Sequence, residues 1–178
     1  TLEEAVAGLG LERLHALVHN AGVAHIAPVG EQRLEWWRRT MTVNVVAVAE
    51  LTRLLLPALR TAGGHVVFVN SGAGLSAGPG WSSYGASKHA LKALADALRG
   101  EERGRSVRVT SLYPSHFTTD MQREVREAFD SDYDLERATS VESVAKAVRD
   151  VLETPSDMVV NDMRVEPPNP LPIRPRDR

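Results

Sequence analysis

Short apolar runs rich in β-branched residues alternate along this chain with longer stretches whose apolar residues recur at helical spacing. That alternation is the strongest constraint on what it can fold into. The first run, Leu14-His15-Ala16-Leu17-Val18-His19, ends in the turn residues Asn20-Ala21-Gly22. The second, His65 to Asn70, is bounded by glycines, and the third, Val107 to Tyr113, is closed by Pro114. Met158 to Val165 reads as a last strand. Between them, Val43, Val46, Ala47, Leu51, Leu54, Leu55 and Ala58 mark one long helix over about 34–59. Ala62-Gly63-Gly64 ends it, and Pro57 is expected to kink or shorten it. A second helix is expected over about 82–99, and a third from the N-cap Ser140 to Pro155. Residues 118–137 are charged and mixed in pattern, a short helix within a mobile segment.

Strands alternating with helices predict an α/β, doubly wound parallel sheet, Rossmann-like, with helices on both faces. At 178 residues the chain suits one domain. Residues 1–166 are assigned to it. Residues 167–178 hold five of the ten prolines and read as an extended or disordered tail. A formal charge of −2 gives no reason to expect nucleic acid. No unbroken apolar run approaches a membrane span, and no Lys/Arg block suggests a membrane surface. Cysteine is absent, which excludes disulfides and thiolate metal sites. With neither a signal nor a transit peptide pattern at Thr1-Leu2-Glu3-Glu4, a cytoplasmic location is the expectation.

In such sheets chemistry sits where the C-terminal strand ends open onto loops. Ser71 follows the second strand, and Tyr84-Gly85-Ala86-Ser87-Lys88 opens the helix after it. Tyr84 and Lys88, at i and i+4, share one helix face. A phenol titrates near pH 10 and is a poor proton-transfer group at neutrality. A nearby ammonium favours the phenolate, and a lowering of about three units needs about 4 kcal/mol of field. For an arbitrary Tyr-x-x-x-Lys, a solvated surface pair is the ordinary explanation. The strand-end serine, the Gly/Ser-rich loop and the parallel-sheet pattern make that explanation weak here.

These motifs together resemble the short-chain dehydrogenase/reductase family, from the start of the chain to about Pro167. Asn20-Ala21-Gly22 matches its Asn-Ala-Gly motif, with His19 where Asn is more usual. Asn44 matches the helix Asn of the catalytic tetrad, Ser71-Gly72-Ala73-Gly74 carries the Ser, and Tyr84 and Lys88 complete it. Tyr113 to Met121 looks like the family's Pro-Gly-x-Val-x-Thr-x-Met segment. The resemblance implies an NAD- or NADP-dependent oxidoreductase interconverting a secondary alcohol and a ketone. Tyr84 would exchange the proton, Ser71 orient the substrate oxygen, and Lys88 lower the Tyr84 pKa and bind the nicotinamide ribose. Asn44 would hold a relay water. Pro114 and Thr119 would hold the carboxamide, and Asn20, Ala21 and Gly22 would line the adenosine-ribose side. It also implies a homodimer or homotetramer paired through the long helix and the Tyr84 helix. The competing class is a non-catalytic relative that senses cofactor or acts as a scaffold.

Three departures stand out. Ser115 replaces the usual Gly, which restricts positive φ there, and Phe117 is bulkier than the usual Val or Ile. The family's first two strand-helix units, about 50 to 60 residues with the Thr-Gly-x-x-x-Gly-x-Gly phosphate loop, have no counterpart. The expectation is that the full protein contains them.

Gly72-Ala73-Gly74-Leu75-Ser76-Ala77 imitates a dinucleotide fingerprint, but Gly78-Pro79-Gly80 prevents a helix from opening there. His15 and His19 are expected to be structural rather than zinc ligands. Val69-Asn70-Ser71-Gly72-Ala73 is not a serine hydrolase elbow. His116 and Trp81 are placed either at the substrate mouth or in plain packing. The charged stretch from Arg123 to Arg137 is either a substrate lid or a solvated face.

Overall fold

The computed structural model describes residues 1–129, 131–132 and 134–171. Four strands, β1 (Ala16–His19), β2 (His65–Val69), β3 (Arg108–Pro114) and β4 (Asp162–Val165), form one parallel sheet in that order. β2 and β3 are buried almost throughout, as strands flanked on both sides and covered on both faces must be. β1 is paired along one edge only, and its Val18 is exposed.

One face carries Val66, Phe68 and Val109. Against them pack Leu55 and Leu59 of α3 (Ala47–Ala62) and Leu91, Ala95 and Leu98 of α4 (Ser82–Glu102). Side chains alternate along a strand, so Val67 and Leu112 point to the other face. There α6 (Val141–Leu152) packs on β2 and β3 and buries Val144 and Val151. The expected doubly wound layering is therefore present. Arg60 on α3 and the fully buried Glu102 on α4 tie the two helices by a bidentate ion pair, with bonds of 2.9 and 2.5 Å.

The expected long helix is three pieces in one run: α2 (Leu34–Met41), a π-helical turn at Thr42–Val46, and α3. Pro57 does not end it. The ring lies on the exposed side, and the run continues to Ala62, where Gly63 adopts φ 63°. Although it holds no unbroken apolar stretch, this 29-residue run contains an 18-residue window of mean hydropathy 1.5, enough by length and composition to cross a bilayer. Its Val48, Leu55 and Leu59 instead face the sheet. A short helix at the start, α1 (Leu2–Ala7), was not anticipated; Thr1 caps it by accepting from the Glu4 N–H.

β4 begins four residues later than the sequence predicts. Side chains, not a neighbouring strand, take the carbonyls before it. Arg108 Nη1 donates to those of Thr154 and Pro155, and the Thr110 hydroxyl to that of Val160. The Pro-rich tail is described to Leu171 and is neither helix nor strand there; residues 172–178 lie outside the described part.

Both sheet histidines are structural. Thr52 donates its hydroxyl proton to the Val48 carbonyl, so His19 Nε2 must donate to Thr52 Oγ1, at 2.8 Å. His65 Nε2 likewise donates to Thr110 Oγ1, whose proton goes to Val160. Burial lowers both imidazoles to about 4. The unfolded chain, titrating near 6.5, therefore binds more protons between these values, and stability is lost as pH falls from about 6.5 through 4. Urea unfolding at stepped pH should show this loss, and His19→Gln should flatten it; equal slopes for the two proteins would contradict the assignment.

Candidate active site

The cleft opens at the C-terminal ends of β2 and β3, between the loop after Val69, the start of α4 and the segment after Pro114. Ser71, Tyr84, Pro114, Ser115 and His116 line it, with Trp81, Phe117, Gln122 and Val125. Its volume is about 150 Å³.

Ser71 caps a single 3₁₀ turn, Gly72–Gly74, by accepting the Ala73 N–H at 3.1 Å. Its own proton remains free to donate, and the hydroxyl shares the cleft wall with the Tyr84 phenol, whose phenolate it favours. That turn lies directly on α4. A Cβ on Gly74 would stand 2.5 Å from Asn70 Oδ1 and 2.9 Å from the Lys88 carbonyl. The apparent dinucleotide fingerprint is thus a packing motif, and no α-helix follows it before Ser82. Gly74→Ala should force the Ser71 turn off α4, costing about 1–3 kcal/mol in urea unfolding and lowering turnover; unchanged stability would contradict this contact.

Tyr84 and Lys88 are both buried. Lys88 Nζ donates to the Val69 carbonyl at 3.1 Å and lies over the Tyr84 ring, 5.7 Å from its centroid. Burial dominates both groups. It lowers the Lys88 ammonium to about 8 and raises the Tyr84 phenol above its ordinary value, while the neighbouring Ser71 hydroxyl works in the opposite direction on the phenol. The expected lowering draws on Lys88 together with an oxidised nicotinamide; in the protein alone, burial outweighs what Lys88 supplies. The ammonium faces the ring and a backbone carbonyl, and the dry pocket disfavours the phenolate.

Asn44 sits in the π-turn, fully enclosed. Its Oδ1 accepts the Val23 N–H at 2.9 Å, and its Nδ2 donates to the Val23 carbonyl at 2.9 Å and to Ser87 Oγ at 3.0 Å. The side chain clamps the loop after β1 to α4. The extra residue of a π-turn is what aims it there.

Gly22 lies against this centre: a Cβ there would be 3.4 Å from Asn44 Oδ1 and 3.7 Å from Lys88 Nζ. Asn20 and Ala21 are exposed and outside the cleft. Thr119 is also outside it. Its hydroxyl caps α5 (Asp120–Ala128) by accepting the Gln122 N–H, and it faces a separate groove with Arg123 and Leu135. Pro114 is in the cleft as expected. Ser115 has no positive φ, as a serine in place of glycine leads one to expect; the next residue, His116, does, at 51°.

α5 covers the cleft with Gln122 and Val125, which favours the lid reading of this stretch. Phe129 stacks on Trp81 at 5.8 Å, and Trp81 packs against Tyr84 at 5.7 Å. Asn70, whose Nδ2 holds the Lys88 carbonyl at 3.1 Å, and Ser87 were not singled out from the sequence. Both sit one residue from a tetrad member, the one available signal.

Comparison with known proteins gives the same family. Residues 1–130 match the profile described as short chain dehydrogenase. Benzil reductase ((S)-benzoin forming) of Saccharomyces cerevisiae is 36% identical over 124 residues, covering 65% of this chain and 46% of that protein. The chain spans about half the length of this relative and of a Drosophila melanogaster dehydrogenase/reductase that it also matches. Among solved structures, a short-chain dehydrogenase of Escherichia coli complexed with NADPH superposes with a TM-score of 0.81 at 26% identity, covering 91% of this chain and 68% of that one. An alcohol dehydrogenase of Thermococcus sibiricus, at 21% identity, shares the fold with a TM-score of 0.82, over 96% of this chain and 71% of that one. With the profile matched over most of the chain and Ser71, Tyr84 and Lys88 gathered at the strand ends, the protein belongs to the short-chain dehydrogenase/reductase family.

Proposed function

We propose that this chain is the catalytic portion of an NAD(P)-dependent oxidoreductase that interconverts a secondary alcohol and a ketone, with Tyr84 as the proton donor and acceptor. The carrying observation is that Ser71 and Tyr84 line one small cleft at the strand ends, with Lys88 Nζ over the Tyr84 ring.

The residues present fit the nicotinamide-ribose end of a dinucleotide. Lys88 spends one of its three donors on Val69, and the missing side chain at Gly22 leaves its amine approachable. Among the described residues, no glycine-rich loop opens a helix beside β1 to hold a pyrophosphate. When bound, the nicotinamide supplies the hydride and, oxidised, a positive charge.

The chain's own residues do the rest. Ser71, held as an acceptor by Ala73, donates to the substrate oxygen and fixes it beside the phenol. Tyr84 delivers its proton to that oxygen in reduction and takes it back in oxidation. Lys88 holds the ribose hydroxyls. Asn44 fixes the Gly22 loop against α4. Trp81, Val125 and Phe117 exclude water.

In this reading the protein is cytoplasmic and a homodimer or homotetramer. The exposed Leu34 and Val46 on the long helical run favour pairing there, and sedimentation would test it. The function itself is tested by following NADH or NADPH oxidation against ketones. Ketone-dependent oxidation that forms one alcohol per cofactor is expected; cofactor binding with no turnover of any ketone overturns the enzyme reading in favour of a sensor or scaffold.

A further inference from the structure

The wall of the cleft facing away from Ser71 and Tyr84 carries polar groups that the proton transfer does not use. His116 comes first. It is half-buried, lines the cleft, and holds a left-handed backbone at φ 51° although it is not glycine. Such a conformation is strained and persists only when its surroundings impose it. Here they do. The His116 carbonyl accepts the Thr139 N–H at 2.9 Å, and the Thr118 N–H donates to the Thr139 carbonyl at 2.9 Å. The ring is fixed as well, since Nδ1 meets Ser115 Oγ at 2.6 Å. With the Ser115 hydroxyl donating to Nδ1, the neutral ring carries its proton on Nε2, which has no partner among the described residues. Burial favours that neutral ring by lowering its pKa.

Gln122 comes second. It lines the same cleft from α5, and its Nε2 is buried without a partner among the described residues. A buried donor left unpaired is costly, so an oxygen that satisfied it would gain that cost back.

Both donors line the same cleft as Ser71 and Tyr84. A Cβ on Gly72, the neighbour of Ser71, would lie 3.7 Å from the Ser115 Cβ and 3.8 Å from its hydroxyl. The body of the cleft is apolar and aromatic through Trp81, Phe117 and Val125, and among the described residues no Asp, Glu, Lys or Arg lines it. Its volume of about 150 Å³ is about that of a cavity that takes one benzene ring.

We infer that the substrate is an uncharged aryl ketone with a second oxygen on the adjacent carbon, a vicinal dicarbonyl or α-hydroxy ketone. His116 and Gln122 hold that second oxygen while Ser71 and Tyr84 hold the first. The inference rests on the oxidoreductase reading above. His116 is a positioning residue: it neither gives nor takes the transferred proton, and its hydrogen bond orients the neighbouring carbonyl. The reduction balances as one hydride to the carbonyl carbon and one proton to its oxygen, leaving the second oxygen unchanged.

The test compares 1-phenyl-1,2-propanedione with 1-phenylpropan-1-one, which differ by that oxygen. A dione is intrinsically easier to reduce, so the readout is how each variant changes the dione-to-monoketone ratio of kcat/KM. His116→Gly suits the left-handed backbone and removes the ring; His116→Asn suits it and keeps an N–H donor. His116→Gly should lower the ratio about tenfold, chiefly through KM, the loss expected for a hydrogen bond worth about 1.4 kcal/mol. His116→Asn should recover part of it, and Gln122→Leu should lower it as well. The same order should appear in dione binding followed by tryptophan fluorescence, to which Trp81 in the cleft contributes. If His116→Gly and Gln122→Leu leave the ratio unchanged while the monoketone is still turned over, the inference is overturned and the oxidoreductase reading stands. If the wild type turns over neither ketone, both fall.

Discussion

Tyr84→Phe is expected to lower kcat about a thousandfold while the protein stays folded and still binds substrate. The phenol is buried and its oxygen faces Ser71 in the cleft, so the substitution removes one oxygen and leaves the ring packed on Trp81. Positioned proton transfer contributes about 10²–10⁴ to a rate, and hydride arriving at a carbonyl with no proton donor would have to leave an alkoxide in a dry pocket. Stability should rise slightly or hold, because the phenylalanine has no hydroxyl to keep hydrogen-bonded. A variant within a few-fold of wild-type turnover would remove Tyr84 from the chemistry.

Lys88→Met is expected to do two opposite things, abolishing turnover and stabilising the fold. Lys88 is a buried ammonium with one backbone partner, and burial brings it from the ordinary 10.5 to about 8. Its folded value lies below its unfolded one, so the unfolded chain binds more protons between pH 8 and 10.5, and stability rises with pH across that window. Below pH 8 the full cost of the buried charge applies, about 3 kcal/mol. Methionine fills similar space without a charge and loses only the bond to Val69, worth about 1 kcal/mol. The variant should therefore gain about 2 kcal/mol at neutral pH, a rise in Tm of about 6 °C. The gain should shrink above pH 8 and disappear as the wild-type lysine neutralises. A variant less stable than wild type at pH 7 would contradict this reading of Lys88.

Much of this was legible in the sequence, for definite reasons. β2 and β3 are short β-branched runs bounded by Gly and Pro, and their limits were read to within one residue. Ser71, Tyr84 and Lys88 were placed because strand ends and helix periodicity fix their neighbourhood; Ser71 and Tyr84 line the cleft, and Lys88 lies over the Tyr84 ring. The π-turn was not legible. Nothing in Thr42 to Val46 distinguishes five residues per turn from fewer, and only the fold shows that Asn44 is thereby aimed at Val23. β4 was drawn too long because Met158, Val159 and Val160 have strand propensity, whereas Arg108 and Thr110 take the carbonyls of that region. Thr119 was expected beside the nicotinamide, but capping α5 turns it toward another groove. The effect of Lys88 on Tyr84 was a matter of magnitude, and only burial and distance decide it: desolvation wins.

The phenol's own titration bears most directly on Tyr84 as the proton-transfer group. Carbon-13 tyrosine NMR, assigned with Tyr84→Phe, can follow it in the protein alone and with oxidised NAD(P) bound. Alone, Tyr84 should titrate above the ordinary 10, as burial dictates. With the positive nicotinamide beside it, the value should fall well below 10. A titration that cofactor binding leaves unmoved, in a protein that still reduces ketones, would contradict the account.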